Sequence, residues 1–239
     1  MESDVDRREF IENATVLAGA AAMGFGAKTA SAQGQSPAPN TGPYAIKPLS
    51  FDPKSIKGLS EKIIVSHHDN NYAGAVRRLN AITAQLTALD FATAPVFQIN
   101  GLKREELIAM NSMILHELYF DGLGGGGMPA GNLAAAIGRD FGSFQRWRTE
   151  FSAVGRAEGG GSGWVLLTYS PRDKRLVNQW AADHTTTLAN GRPILALDMY
   201  EHAYHMDYGA NAAAYVDASM EAIRWDNVAA LFDRYSKET

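Results

Sequence analysis

The stretch Leu195–Gly209 reads L-A-L-D-M-Y-E-H-A-Y-H-M-D-Y-G and holds two candidate metal-binding side chains. Asp198 follows a short apolar run, and His202 comes four residues later. A carboxylate and an imidazole at this spacing can point into one space, in a helix or where a strand end turns into a helix. The pattern fits half of a metal site. Taken alone, it is more typical of a surface aspartate and a hydrogen-bonded buried histidine.

Composition narrows the class of protein. The chain has 239 residues, of which 46% are hydrophobic and 20% charged, so it can bury a core and is not disordered by composition. Its net charge is −4 and no basic block stands out, so nucleic acid is not an expected partner. It has no cysteine, which excludes disulfides and thiolate ligands. Any metal site must use His, Asp or Glu, a set that suits iron, manganese and zinc.

The N-terminus has the features of an export signal. Arg7 and Arg8 precede a stretch rich in Ala and Gly, which closes with Ala30-Ser31-Ala32. This pattern resembles a twin-arginine signal with its cleavage site. The apolar stretch is too short and too weakly apolar to span a bilayer. We therefore predict a signal peptide over 1–32, a periplasmic or extracellular mature protein without a membrane anchor, and a flexible tail over 33–48.

Two helices with one inward histidine each are predicted next. Ser60 can cap a helix that runs to about Leu89, and the apolar positions at steps of three and four place His67 on its inward face. A second helix is expected from about Lys103 to Asp121, with His116 on its inward face. The glycine-rich loop after Leu123 breaks all regularity, so we place a boundary there between a helical-hairpin domain (49–123) and a C-terminal α/β domain (124–239).

The C-terminal half mixes helices and strands. Short helices are expected around 133–139 and 143–155, and one longer helix over 212–232. The segments 164–169, 175–180 and 194–197 have strand composition, and the first two are joined by a turn. The predicted fold class is therefore α+β, with an antiparallel helical hairpin followed by a three-stranded antiparallel sheet and flanking helices.

Five motifs together resemble the iron/manganese superoxide dismutase family. They are L-S-x-K-x-I-x-x-H (59–67), H-E-L-Y-F (116–120), D-F-G-S-F (140–144), G-S-G-W (161–164) and D-M-Y-E-H-A-Y (198–204). The resemblance runs from about Pro48 to the C-terminus. It implies that superoxide is converted to dioxygen and hydrogen peroxide at one iron or manganese ion per subunit. It also implies a homodimer, with Glu201 meeting His202 of the other subunit.

The family's metal ligands fall on His67, His116, Asp198 and His202. An N/O ligand set tolerates both +2 and +3 states, as one-electron cycling requires. The position that usually carries a Gln beside the bound solvent is His184 here, a group suited to holding a proton. The Gln position of iron-type members is Ser112.

Several outer positions depart from the family pattern. The gateway His and Tyr that follow the first ligand are Asn71 and Ala75, and Tyr72 could partly replace the missing ring. The Tyr that reaches across the dimer is His205, so a hydrogen bond between Asn71 and His205 of different subunits is a candidate replacement. Ala212 stands where the family has an arginine that attracts anions. These departures leave the ligands untouched and predict reduced turnover.

Three alternatives remain open at this point. The first is an exported metal-binding or redox-responsive homologue with low dismutase activity. The second is a zinc hydrolase built on Asp198, His202 and His205 with Glu201 as base, which leaves His67 and His116 unexplained. The third is a structural interaction module, which needs no inward histidines.

Cleavage of the predicted export signal after Ala32 would give a mature protein that begins near Gln33. N-terminal sequencing of the protein recovered from the periplasm or medium measures this directly. An intact Met1 on exported protein would contradict the prediction.

Overall fold

The computed structural model describes residues 42–238. The predicted signal peptide and residues 33–41 of the predicted tail lie outside the described residues. Residues 42–48 of that tail bind to the helices that follow. The side-chain amide of Asn80 accepts a hydrogen bond from the Tyr44 amide and donates one to the Tyr44 carbonyl, and the Tyr72 hydroxyl accepts one from the Lys47 amide.

The helices fall into two groups along the chain. The first group is α1 (Glu61–Ser66), a π-helical segment (His67–Tyr72), α2 (Ala73–Ala88) and α3 (Val96–Asp121). The second group is α4 (Gly131–Phe141), α5 (Phe144–Ala157), α6 (His205–Tyr208), α7 (Ala212–Glu221) and α8 (Trp225–Tyr235). Short 3₁₀ turns lie at Pro53–Ser55 and Glu201–Ala203.

The first helical region runs where the sequence predicts it, but its middle is not α-helical. Ser60 caps it by accepting a hydrogen bond from the Ile63 amide. The π-helical segment then carries His67 at its start. The Asn70 side chain donates to the Ser66 carbonyl and so competes with the backbone for that acceptor. This local competition gives a physical reason for the widened turn, which a stripe of apolar positions does not reveal.

The second long helix begins seven residues before the predicted start. Pro95 precedes the first turn of this helix, and Val96 and Phe97 in that turn are exposed to solvent. Because this first part has no buried face, the sequence shows no inward stripe there. From Ala109 to Phe120 the helix buries the face that was predicted, and His116 lies on it.

The three strands form one antiparallel sheet, as predicted, and their order in it is β2–β1–β3. Their bounds are β1 (Trp164–Ser170), β2 (Arg175–Ala181) and β3 (Arg192–Asp198). The central strand β1 is buried along its whole length. Its pairing with β3 shifts register between Leu167 and Thr168, and Trp164 pairs with Asp198. The sheet therefore delivers Asp198 at the end of an edge strand, next to a buried tryptophan.

The predicted C-terminal helix is in fact two helices. The chain breaks between α7 and α8 because residues 222–224 pair with the glycine-rich loop. The amides of Gly124 and Gly125 donate to the Ala222 carbonyl, and the Arg224 amide donates to the Gly122 carbonyl. A break that depends on a partner a hundred residues away cannot be read from helical periodicity.

One buried cluster of apolar side chains joins the helices and the sheet. It includes Leu79 and Ile82 from α2, Leu115 from α3, Val165 and Leu166 from β1, and Trp147 from α5. Among residues 42–238 no helix is both long and apolar enough to cross a membrane.

Packing of the glycine loop against the C-terminal break can be tested with two glycines. In Gly125→Ala the new methyl would lie 2.6 Å from the Arg224 Cα, so we expect a loss of about 1–3 kcal/mol of unfolding free energy. The control Gly138→Ala lies inside α4 with nothing within 4 Å, and should gain about 0.5–1 kcal/mol. Denaturant unfolding of both variants measures the difference. Equal stability of the two variants would contradict the close packing.

Candidate metal centre

Two hydrogen bonds hold Asp198 in place. Its carbonyl accepts a hydrogen bond from the Tyr215 hydroxyl at 2.7 Å, and its Oδ1 accepts one from the Tyr200 amide at 2.8 Å. The side chain is fully buried. These bonds leave Oδ2 facing the three histidines.

His67, His116 and His202 converge on Asp198 Oδ2. Their Nε2 atoms lie 3.1, 3.6 and 3.3 Å from it. The four candidate ligand atoms all lie within 4.8 Å of one another. Ligand atoms bound about 2.0–2.2 Å from one ion are separated by roughly 3–4 Å. The four side chains singled out in the sequence therefore share one space that a single metal ion could occupy.

The tautomer of His116 is fixed by its helix. Its Nδ1 lies 2.6 Å from the Ser112 carbonyl, which can only accept, so Nδ1 carries the proton and donates. Nε2 then carries the lone pair, is buried, and has no hydrogen-bond partner among the described residues. The Nε2 lone pair of His116 is therefore available to bind a cation, and it faces the other three candidate ligands, His67, Asp198 and His202. The donor set fits a cation of borderline hardness.

Electrostatics keep these groups in their metal-binding forms. Burial alone would raise the pKa of Asp198, but hydrogen bonds and charge interactions with His202 and His67 hold that pKa well below its usual range. Burial lowers the pKa of His67, and lowers the pKa of His116 to about 3. At neutral pH Asp198 is therefore ionised, and His67 and His116 are neutral, as metal binding requires.

His184 lies beside this cluster without belonging to it. Its ring centroid is 6.1 Å from that of His116. Its Nδ1 accepts a hydrogen bond from the Trp164 indole at 3.0 Å, so in the neutral ring the proton is on Nε2. Burial lowers the pKa of His184, which favours this neutral form. The residue thus presents an N–H donor close to the four converging side chains.

Comparisons with known proteins agree with this geometry. Residues 129–231 match the model of iron/manganese superoxide dismutases, C-terminal domain. The chain is 69% identical over 189 residues to a superoxide dismutase [Fe] of Cupriavidus metallidurans, covering 79% of this chain and 96% of the relative. The chain belongs to the iron/manganese superoxide dismutase family.

Among more distant relatives, some are named for manganese and others for iron. Superoxide dismutase [Mn] 2 of Halobacterium salinarum is 37% identical, over 80% of this chain and 95% of the relative. A superoxide dismutase [Fe] of Pyrobaculum aerophilum is 30% identical, over 77% of this chain and 90% of the relative. The predicted family, α+β fold and superoxide dismutase function are confirmed, and the low-activity alternative is not favoured. Membership also argues against the zinc hydrolase, and the four-residue cluster holds His67 and His116 rather than His205.

The outer residues singled out from the family pattern occupy different places. Asn71 and Ala75 line the same small cavity as His184. Tyr72 points elsewhere, since its hydroxyl also donates to Glu117 at 3.1 Å and Tyr72 does not line that cavity. His205 is exposed at the start of α6, and Glu201 is exposed in the preceding 3₁₀ turn.

Tyr200 and Ala212, which follow Asp198 in the chain, have different surroundings. The ring of Tyr200 stacks on His184 at 4.8 Å and on His202 at 5.4 Å, which links the outer histidine to the cluster. Ala212 is buried at the start of α7, and a Cβ at Gly159 would come within 3.0 Å of its side chain. A longer side chain at Ala212 would therefore need space that this loop occupies.

Sequence reasoning missed three residues that hold the site together. Trp164 fixes His184, Tyr215 fixes the Asp198 main chain, and the Ser112 carbonyl fixes His116. Trp164 belongs to a quoted motif, so its contact with the site could have been suspected. Nothing in the sequence marks Tyr215 or a backbone carbonyl, because their roles depend on tertiary contacts.

Metal binding by the cluster can be tested with two adjacent histidines. His67→Ala removes one of the four candidate ligands, and we expect its metal content to fall to about a tenth of wild type or less. His68→Ala is the matched control, since His68 bonds Asp69 and the Lys47 carbonyl instead of joining the cluster. Elemental analysis of both purified variants gives the answer. Full metal content in His67→Ala would remove His67 from the ligand set.

Proposed function

We propose that this superoxide dismutase works at one iron or manganese ion bound by His67, His116, Asp198 and His202. The observation that carries the proposal is the buried His116 Nε2, which has no hydrogen-bond partner among residues 42–238 and faces Asp198 and the other two imidazoles. The bound ion would supply a one-electron redox couple, so that the protein could oxidise one superoxide and reduce the next. Iron is the first metal to test, because the relative at 69% identity is named for iron.

The chain's own residues would orient and neutralise the centre. The single carboxylate of Asp198 limits the net charge of the ligand set, and the Ser112 carbonyl keeps His116 in the right tautomer. The surrounding aromatic rings of Tyr119, Phe120 and Trp164 lie 5–6 Å from the histidine rings. They exclude bulk water from His67 and His116, which strengthens the charge interactions there.

We propose that His184 holds the proton needed for peroxide formation. The support is its Nε2–H, fixed by the Trp164 hydrogen bond, beside the ligand cluster. A positioned proton donor of this kind contributes about 10²–10⁴-fold to a rate. Asn71 lines the same cavity and is proposed to assist substrate approach, whereas Tyr72 is proposed to act indirectly, through Lys47 and Glu117.

We also propose a homodimer through Glu201, His202 and His205. The support is a run of exposed groups at this corner, where Glu201 and His205 are exposed and Met206 leaves 47% of its surface in solvent. Export to the periplasm or medium is likewise proposed, on the strength of Arg7 and Arg8 and the small residues that follow.

The activity is tested on the iron- or manganese-loaded protein. Wild type should accelerate superoxide decay well beyond the free ion, and His184→Ala should keep its metal while kcat falls about tenfold or more. His68→Ala serves as the control, with kcat close to wild type. The proposed function would be overturned if superoxide decays no faster with the fully metal-loaded wild-type protein than with the free metal ion.

A further inference from the structure

The helix α3 carries apolar side chains on two opposite faces. Its inner face is buried and includes Ala109 and His116. On the other side Val96, Leu107 and Ile114 are exposed, at 82%, 47% and 48%. Because each residue advances an α-helix by about 100°, these three side chains lie within about 20° of one line along the helix, roughly opposite the inner face. We call Val96, Leu107 and Ile114 the outer stripe.

The outer stripe has the character of a covered surface. A helix that is apolar on both sides is normally buried on both. Met110 and Leu118, which lie beside the stripe, are only partly buried. The C-terminal half of the stripe also borders a groove of about 640 Å³, with Ile114 and Leu118 on one wall and Pro193 and Leu231 on the other. The groove leaves room for the side chains of a second helix laid along α3.

Two charged residues of opposite sign lie on the same side of α3 as the stripe. Lys103 stands two turns after the first stripe residue, and Asp121 stands two turns after the last. Among the described residues Lys103 pairs with Glu106, and Asp121 lies 4.0 Å from the Arg224 guanidinium. The side chains of Lys103 and Asp121 stay 54% and 49% exposed, so each can form a further ion pair. This side of α3 is thus positive near its beginning and negative at its end.

We propose that the outer stripe packs against the outer stripe of a second copy of this chain, with the two α3 helices antiparallel. In such a contact each residue meets its counterpart across a two-fold axis. Lys103 lies nine residues before Ser112 and Asp121 nine residues after it, whereas Met110 and Ile114 lie two residues to either side. An axis at the level of Ser112 therefore sets Lys103 against Asp121 of the partner subunit and Met110 against Ile114 of the partner subunit.

This arrangement is self-complementary, which favours a second copy over an unrelated partner. The apolar residues lie at the centre of the contact, and each end brings a cation to an anion, twice over by symmetry. Antiparallel helices that cross at about 20° with axes about 8–10 Å apart keep such side chains within reach over several turns.

The α3 contact is separate from the homodimer proposed above, since it uses neither Glu201 nor His202 nor His205. If both contacts form, the protein is a tetramer with two kinds of two-fold interface. If only the α3 contact forms, the protein is a dimer. In either case, loss of the α3 contact halves the mass of the assembly, so the proposal is tested independently of the other interface and of dismutase activity.

The first experiment measures the mass of the metal-loaded protein by sedimentation equilibrium. Ile114→Lys places two like charges in the apolar centre of the contact, so it should halve the mass found for wild type. Trp180→Lys is the matched control, because it makes the same change on a side chain of β2 that is 54% exposed and outside the stripe, and it should keep the wild-type mass. Equal masses for Ile114→Lys and wild type would overturn the proposal. A monomeric wild type would also overturn it, and would leave the stripe to a lipid surface or another protein.

A charge swap tests the antiparallel arrangement itself. Lys103→Asp and Asp121→Lys should each raise the dissociation constant of the α3 contact about tenfold or more, because like charges then face each other twice. The double variant restores opposite charges and should return to within about threefold of wild type. The groove also contains Arg192 and Arg234, but restoration by the double variant requires that positions 103 and 121 face each other. Thermal unfolding verifies that each variant is folded, and additive weakening in the double variant would overturn the proposed pairing.

Discussion

The buried carboxylate of Asp198 is the constraint on which this structure depends. An ionised carboxylate with no solvent exposure carries a desolvation penalty of several kcal/mol unless charge or hydrogen bonds compensate. Here Oδ1 is satisfied by a backbone amide, whereas Oδ2 is left to three imidazoles. Helices from the N-terminal half and the edge of the C-terminal sheet must meet at this point. The two halves of the chain therefore meet at this carboxylate as well as in the shared apolar core.

Three of the four candidate ligands could be predicted from the sequence because they lie on a helical region or at the end of a strand, and His202 was singled out by its spacing from Asp198. His67 and His116 stand on apolar stripes of helices, and Asp198 ends a strand. Their helical period or strand position is local information, and the family motifs supplied the link between distant segments. The prediction of a sheet with three antiparallel strands succeeded for the same reason.

What the sequence could not reveal depends on contacts between distant residues. The break before α8 follows from pairing with the glycine loop, and the early start of α3 lacks a buried face. The orientation of His184 depends on an indole twenty residues earlier, across a β-turn and two strands. The outer residues are harder to predict, since the positions that line the cavity come from four segments of the chain. Most of them are small or polar, and helical periodicity gives no reason for that choice.

The π-helical segment sets which residues accompany His67 on the buried face. In an α-helix the neighbour one turn on would be Asn71, but the wider turn buries Tyr72 and leaves Asn71 only half-buried beside the cavity. Each residue of an α-helix advances it by about 100°. A one-residue deletion between His67 and Tyr72 would therefore place Tyr72 four residues after His67, where a regular α-helix keeps both side chains on the buried face. The extra residue is thus not needed to bury His67 and Tyr72, and its structural effect is to leave Asn71 at the cavity.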